Sequence, residues 1–253
     1  MENRIFVTDN TSPRLALVEK SLKEKGYNVK SYGEKLEQDK KITHIYLFSP
    51  AKKLTEQEEN SLLPGSVVIG PKKTGNRDDI TFSDFIDERY IYRNNLITAE
   101  GTLGICIAET DKALYEQNLL IIGCGRLGKI LEKVFSPIVK EVSVCTFNRE
   151  KLGAGNCVTY LGKDFLYGAK NFDIVLNTAP VEFLDKKDLT FFKRDCLFVD
   201  LASTHCISDE NALYAEFNYR PAPRLPDKTA IKTAADEYEK HVFSALEALR
   251  SKL

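Results

Sequence analysis

The sequence predicts an α/β protein built from two units, each with a parallel sheet. Three observations carry that expectation. Strand-like apolar runs alternate with helical patterns up to about residue 95, and again from residue 119 onward. One run, residues 119–122 (LLII), opens directly into Gly123, Gly125 and Gly128 and then into an amphipathic helical pattern. Two long helical patterns, one before residue 119 and one ending the sequence, are placed to join the units.

In order, residues 4–9 read as a first strand. Ser12 and Pro13 open a helix, the serine as cap and the proline at the first helical position, with an apolar stripe of Leu15, Val18 and Leu22 and a stop at Gly26. Strands are expected at 27–32, 43–48 and 66–69. Residues 55–58 (TEQE) form a capping-box pattern that starts a short helix ending near Pro64 and Gly65. Residues 80–91 have room for a short strand and a helix. The turn after the first strand carries no glycine fingerprint, so residues 1–95 read as a substrate or lid domain of a smaller, flavodoxin-like kind.

A long helix is expected from Thr98, its cap, to about residue 117. Leu103, Ile107, Thr110 and Leu114 lie along one face, and Gly101 and Gly104 in its first turns weaken it by about 1 kcal/mol each relative to alanine. The strand at 119–122 then meets the glycine loop. Gly123 permits the tight turn, Gly125 lets backbone approach a phosphate, and Gly128 lets helix and strand pack closely. The free N–H groups of the helix start face an anion. This strand–GxGxxG–helix order predicts a Rossmann dinucleotide-binding domain over residues 96–230, connector helix included. Arg126 and Leu127 fill the loop.

The next strand, 141–146, ends without the acid that holds an NAD ribose. Asn148 and Arg149 stand there instead, which favours NADP, with NAD the alternative. Further strands are expected at 157–161, 172–176, 196–200 and 217–219, the first after a connection with room for one helical turn at most. Ligands sit at the carboxyl ends of parallel strands, so the loops after 176 and 200 join the glycine loop. Thr178, Ala179 and Pro180 are expected to cover the ribose or ring, with Leu201, Ala202 and Ser203 beside the nicotinamide. Residues 220–228 form a proline-stiffened cationic loop. Residues 231–253 form a final helix packing back toward the first domain, with Ile231, Ala234, Tyr238, Val242, Ala245 and Leu249 at helical spacing.

Composition excludes several classes. Formal net charge is −1, hydrophobic residues make up 43% and charged residues 29%, so no global field favours nucleic acid or an anionic membrane. No apolar run is long enough to span a bilayer, and residues 1–7 read as a strand, not a signal peptide. Six scattered cysteines without a CxxC pair point to a reducing cytoplasm and no disulfide framework. Three histidines and those cysteines show no metal-ligand spacing.

Five segments together resemble the A subunit of dipicolinate synthase from spore-forming bacteria. Residues 98–102 (TAEGT) resemble its TxEGT helix start, 123–128 (GCGRLG) its GLGRTG loop, 173–180 (DIVLNTAP) its DICINTxP strand and loop, and 200–203 (DLAS) its DLAS turn. Residues 225–226 (LP) and 232–234 (KTA) resemble its GLPG…PKTA segment. The matches run in order from residue 98; the first 95 residues match in layout only. The resemblance implies the two-domain fold of formate/glycerate and alanine dehydrogenases. It also implies a nicotinamide-dependent oxidoreductase for a small cyclic imine or amino dicarboxylate, homo-oligomeric and partnered by a flavoprotein-like B subunit. Departures are Arg224 and Asp227 where the family has glycines, and a DLAS that continues as 204–206 (THC), without glycines, where the family's continues as xPGG. They leave a second reading, a dinucleotide-binding regulatory or scaffold relative without turnover, and a third, a structural partner for a second chain. Glu100 and His205 are the acid/base candidates. Arg224, Lys228 and Lys232 are the cations for a dicarboxylate, arginine being suited to bidentate pairing.

Overall fold

The computed structural model describes residues 4–250 except 40, 51, 72, 76, 85, 152–156 and 208–209. The chain divides into two compact units, one of residues 1–94 with 226–253, the other of residues 95–225.

The first unit carries β1 (Arg4–Thr8), α1 (Pro13–Glu24), β2 (Asn28–Ser31), β3 (Thr43–Leu47), α2 (Glu56–Asn60), β4 (Val67–Ile69) and β5 (Thr81–Phe82), and it is closed by α7 (Ile231–Arg250). Its sheet is parallel in the order β2-β1-β3-β4-β5, the flavodoxin-like arrangement. Successive residues of β1 and β3 serve opposite faces: Phe6, Ile45 and Leu47 pack with Leu15, Leu22, Tyr238 and Val242, while Val7, Tyr46 and Phe48 pack with Leu54, Leu62 and Val68. Ser12 caps α1 by accepting from Leu15 N–H, and Thr55 with Glu58 makes the capping box of α2. The α2 helix stops at Asn60, short of the Pro64–Gly65 expected.

The second unit carries β6 (Asn118–Ile122), α4 (Arg126–Phe135), β7 (Glu141–Thr146), β8 (Val158–Leu161), β9 (Ile174–Asn177), α5 (Lys186–Leu189), β10 (Leu197–Asp200), α6 (Glu210–Glu216) and β11 (Asn218–Pro221). All six strands are parallel, ordered β11-β10-β9-β6-β7-β8. This is the doubly wound Rossmann order, with its reversal between β6 and β9. Leu119 and Ile121 face a core with Leu131, Phe135 and Leu176; Leu120 and Ile122 face one with Val175, Phe198 and Tyr219. Between β7 and β8 the chain makes a 3-10 turn at Arg149–Lys151, and residues 152–156 lie outside the described residues.

The long helix α3 differs from expectation. It runs Glu88–Glu109, not 98–117. Its residues up to Asn94 belong to the first unit and the rest to the second. The Asp87 carboxylate accepts from Tyr90 N–H at 2.9 Å and does the capping assigned to Thr98. Thr98 is buried mid-helix, where its carbonyl accepts from the Thr102 hydroxyl at 2.8 Å. The buried residues Ala99, Thr102 and Cys106 follow one another along the helix, and Ile107 is exposed, so the apolar stripe expected through Ile107 is displaced. At the far end, the Thr110 hydroxyl donates to the Cys106 carbonyl, and Leu114 falls in a separate 3-10 turn.

Candidate functional site

The site is built at the carboxyl edge of the second unit's sheet. Gly123 follows β6 with φ 110°, a left-handed conformation that favours glycine. A Cβ on it would lie 2.3 Å from the Thr178 hydroxyl. A Cβ on Gly128 would lie 1.9 Å from the Gly123 carbonyl oxygen, so that glycine is demanded by close helix–strand packing. Gly125 is different. It caps α4 with no side-chain hydrogen bond, and a Cβ there would meet no protein atom within 4 Å. Protein packing does not require that glycine, and as the cap residue of α4 it has no side chain to lay over the first N–H groups. An anionic diphosphate fits such a cradle, held by backbone from Gly125 onward. Arg126 is exposed at the first position of α4, and Leu127 is half-buried.

The loop after β9 is tied to this turn. Thr178 N–H donates to the Ile122 carbonyl at 2.8 Å, and its hydroxyl reaches the carbonyls of Ile122 and Gly123 at 3.0 and 3.3 Å. Ala179 N–H donates to Asn177 Oδ1 at 3.1 Å, and Pro180 is exposed. At the end of β7, Thr146 is buried, while Phe147, Asn148 and Arg149 are exposed and no carboxylate precedes Glu150. Asn148 Oδ1 accepts from Glu150 N–H at 2.9 Å. Phe147 meets Phe183 edge to face at 5.1 Å, joining the loops after β7 and β9.

The loop after β10 holds Leu201 half-buried, Ala202 buried and Ser203 exposed. Beneath it lies a polar cluster drawn from three adjacent strands, from the ends of β9 and β10 and from within β11. Asp200 is buried, and its Oδ1 accepts from Asn177 Nδ2 at 2.9 Å and Ala202 N–H at 3.2 Å. Its Oδ2 lies 3.1 Å from both the Tyr219 hydroxyl and His205 Nδ1. Asn177 and Tyr219 are buried, and the His205 side chain keeps 39% of its surface exposed. Cys206 follows, its thiol pushed up by burial and then by the Asp200 carboxylate. Cys145 is pushed up to about 12 by burial, so neither thiol is activated.

Other expected residues lie on other elements. Glu100 is exposed well inside α3, no longer in a first helical turn. Arg224 is exposed in the second unit with φ 57°, keeping left-handed backbone without a glycine. Lys228 and Lys232 are exposed in the first unit, and Asp227 is buried against Arg14 at 2.9 Å. Arg220 pairs with Glu109 at 2.7 Å. Asn177, Asp200, Tyr219, Phe147 and Phe183 were not anticipated as site residues. A polar residue closing an apolar strand, as in IVLN and LFVD, is the signal that marks the first two. No group of three or more His, Cys, Asp or Glu able to hold a metal occurs among the described residues, and no helix among them is long and apolar enough to cross a membrane.

No family model matches the chain. The A subunit of dipicolinate synthase from Bacillus subtilis (strain 168) is 29% identical over 154 residues, 58% of this chain and 51% of that protein. The chain therefore spans about half the length of the curated relative it matches. The crystal structure of the dipicolinate synthase A chain from Bacillus subtilis superposes with a TM-score of 0.78 at 16% identity, covering 100% of this chain and 98% of that one. D-lactate dehydrogenase with NAD+ from Lactobacillus jensenii gives 0.55 at 16% identity, covering 95% and 94%. The chain thus resembles the A subunit of dipicolinate synthase in sequence and in fold, and shares the two-sheet α/β fold of the D-2-hydroxyacid dehydrogenases.

Proposed function

We propose that this protein is a nicotinamide-dinucleotide-dependent oxidoreductase acting on a small cyclic imine or amino dicarboxylate of the dihydrodipicolinate type, in spore dipicolinate formation in the cytoplasm. The observation that carries the reading is the β6–glycine loop–α4 turn, with a glycine as the cap residue of α4, Gly125, that protein packing does not require. The match to the dipicolinate synthase A subunit and the NAD+ in the Lactobacillus jensenii enzyme support it. Gly123, Gly125 and Gly128 with the start of α4 would hold the diphosphate. Asn148 and Arg149, with no acid before Glu150, favour NADP. A bound nicotinamide supplies hydride transfer; the protein supplies position and a proton acceptor, for which His205 is the candidate. Arg224, Lys228 and Lys232 would pair the substrate carboxylates. The same resemblance makes a second copy of this chain and a flavoprotein-like B subunit the expected partners.

The test is a thermal shift with NADP, NADPH, NAD and NADH, followed by 340 nm absorbance with dihydrodipicolinate-type and other imine acids. A larger shift with the NADP pair and turnover are expected. A shift without turnover would support the regulatory relative, and neither would remove the enzyme. Arg224→Ala should weaken small diacid binding by calorimetry and leave NADP affinity unchanged.

A further inference from the structure

Thr178 grips the glycine turn from the neighbouring strand. β9 runs parallel to β6 with Asn177 opposite Ile122, so Thr178 is the first residue past the pairing. Its N–H donates to the Ile122 carbonyl at 2.8 Å. Its hydroxyl oxygen lies 3.0 Å from the same carbonyl oxygen and 3.3 Å from that of Gly123. A carbonyl only accepts, so the hydroxyl is the donor in both contacts, and its one proton is directed at this pair. A Cβ at position 123 would lie 2.3 Å from that hydroxyl, so the grip requires glycine there. The Gly123 oxygen is closed in by α4 as well, because a Cβ on Gly128 would fall 1.9 Å from it.

Gly123 has little stiffness of its own, at φ 110° and with no Cβ to restrict it. Both peptides that flank it are held from outside. The one before it is tied through the Gly123 N–H to the Cys145 carbonyl of β7 at 2.9 Å. The one after it is tied through the Gly123 carbonyl to Thr178. The loop that carries Thr178 is braced in turn: Asn177 Oδ1 accepts from Ala179 N–H at 3.1 Å, and Asn177 Nδ2 donates to Asp200 Oδ1 at 2.9 Å. The orientation of that second peptide matters for an anion. A peptide oxygen carries partial negative charge, and one rotated out over a phosphate would repel it.

We propose that Thr178 is a positioning residue of the diphosphate site. Its hydroxyl keeps the Ile122 and Gly123 carbonyls inside the turn, so that the bound anion meets the start of α4 and not peptide oxygen. The role deepens the oxidoreductase reading above and rests on it for the identity of the ligand. It is separate from the contact to ribose or ring that the sequence suggests for residues 178–180.

Thr178→Val keeps the shape and removes the hydroxyl; Thr178→Ser keeps the hydroxyl and removes the methyl. Calorimetry on the whole protein with NADPH and NADH gives the affinities. Thr178→Val should weaken dinucleotide binding about tenfold, and Thr178→Ser should stay within about threefold of wild type. Adenosine 2′-monophosphate and adenosine carry no diphosphate, and their affinities should be the same for wild type and both variants. A Thr178→Val protein that binds dinucleotide as wild type does overturns the proposal. So does a Thr178→Ser protein as weak as Thr178→Val, which would put the effect in the methyl group. A loss shared equally by the adenosine fragments also overturns it, since that marks a loosened unit and not a misplaced turn. If Thr178→Val does not fold, Thr178→Ser against Thr178→Ala, a pair that differs by the hydroxyl alone, decides by the same criteria. A wild type that binds neither dinucleotide overturns the oxidoreductase reading itself, and this role with it.

Discussion

Two strand-to-helix turns in this molecule hold the same place in their sheets and end differently. After β1, the turn is closed from within. Asp9 is buried, bonded to Lys52 at 2.9 Å; the Ser12 hydroxyl caps α1; and Arg14 is sequestered by Asp227, Asn94 and Tyr90. After β6, the turn has glycines in place of Asp9 and Ser12, so the cap residue of α4 has no side chain to give. Both turns lie at the carboxyl edge of a parallel sheet, where ligands bind. The first spends its polar groups on the protein. The second has glycine at the cap position, where no Cβ stands between backbone and solvent. Fold alone therefore does not make a phosphate site; the side chains omitted from the turn do.

That contrast can be broken from either side. Arg14→Ala strands the buried Asp227 carboxylate and should cost about 3–5 kcal/mol in urea unfolding of the first unit, with dinucleotide affinity unchanged. Gly128→Ala forces a Cβ against the Gly123 carbonyl. It should cost about 1–3 kcal/mol and abolish the dinucleotide thermal shift. Gly125→Val is the sharper probe, because its Cβ meets no protein atom. Stability should stay within about 0.5 kcal/mol while dinucleotide affinity falls by more than about tenfold. Ser12→Ala should cost about 1 kcal/mol and leave ligand binding untouched.

The smallest effect is on pH. His44 and His241 are both buried in the first unit, and burial pushes both imidazoles down from the usual 6.5, Asp87 opposing it at His241. Their folded forms favour the neutral ring. The stability this gives is complete above pH 6.5 and is lost as pH falls through the folded values, because the unfolded chain takes up protons first. Between pH 7.5 and 5.5, amide exchange corrected for intrinsic rates should therefore accelerate in β1 and β3. His44→Leu should reduce that acceleration.

Much of this was legible in residue order. Strand periodicity, Ser12–Pro13, the 55–58 capping box and the glycine triplet each depend on neighbours within a few positions, and each forms as its local chemistry dictates. The long helix was misread because Thr98 carries a cap-forming side chain, yet packing buried it and Asp87 capped instead. Asn177, Asp200 and Tyr219 could not be grouped from the sequence. Each belongs to a separate strand, Asn177 and Asp200 at the ends of β9 and β10 and Tyr219 inside β11, and only the register Asp200↔Asn177 and Phe198↔Tyr219 brings them together. His205 stood out by its rarity; its partners did not.

The Tyr238 hydroxyl of α7 donates to the carbonyls of Phe48 and Ile69 at 2.6 and 3.3 Å, across 190 and 169 residues of sequence. The unit that starts the chain is thus finished by the part of it made late. On the ribosome, residues 95–225 are contiguous and have their whole core to hand, while the earlier sheet waits for its last helix to emerge. Nascent chains arrested before residue 231 should then protect the glycine turn from protease and leave β1 and β3 open to cleavage, the reverse of the usual N-terminal-first order.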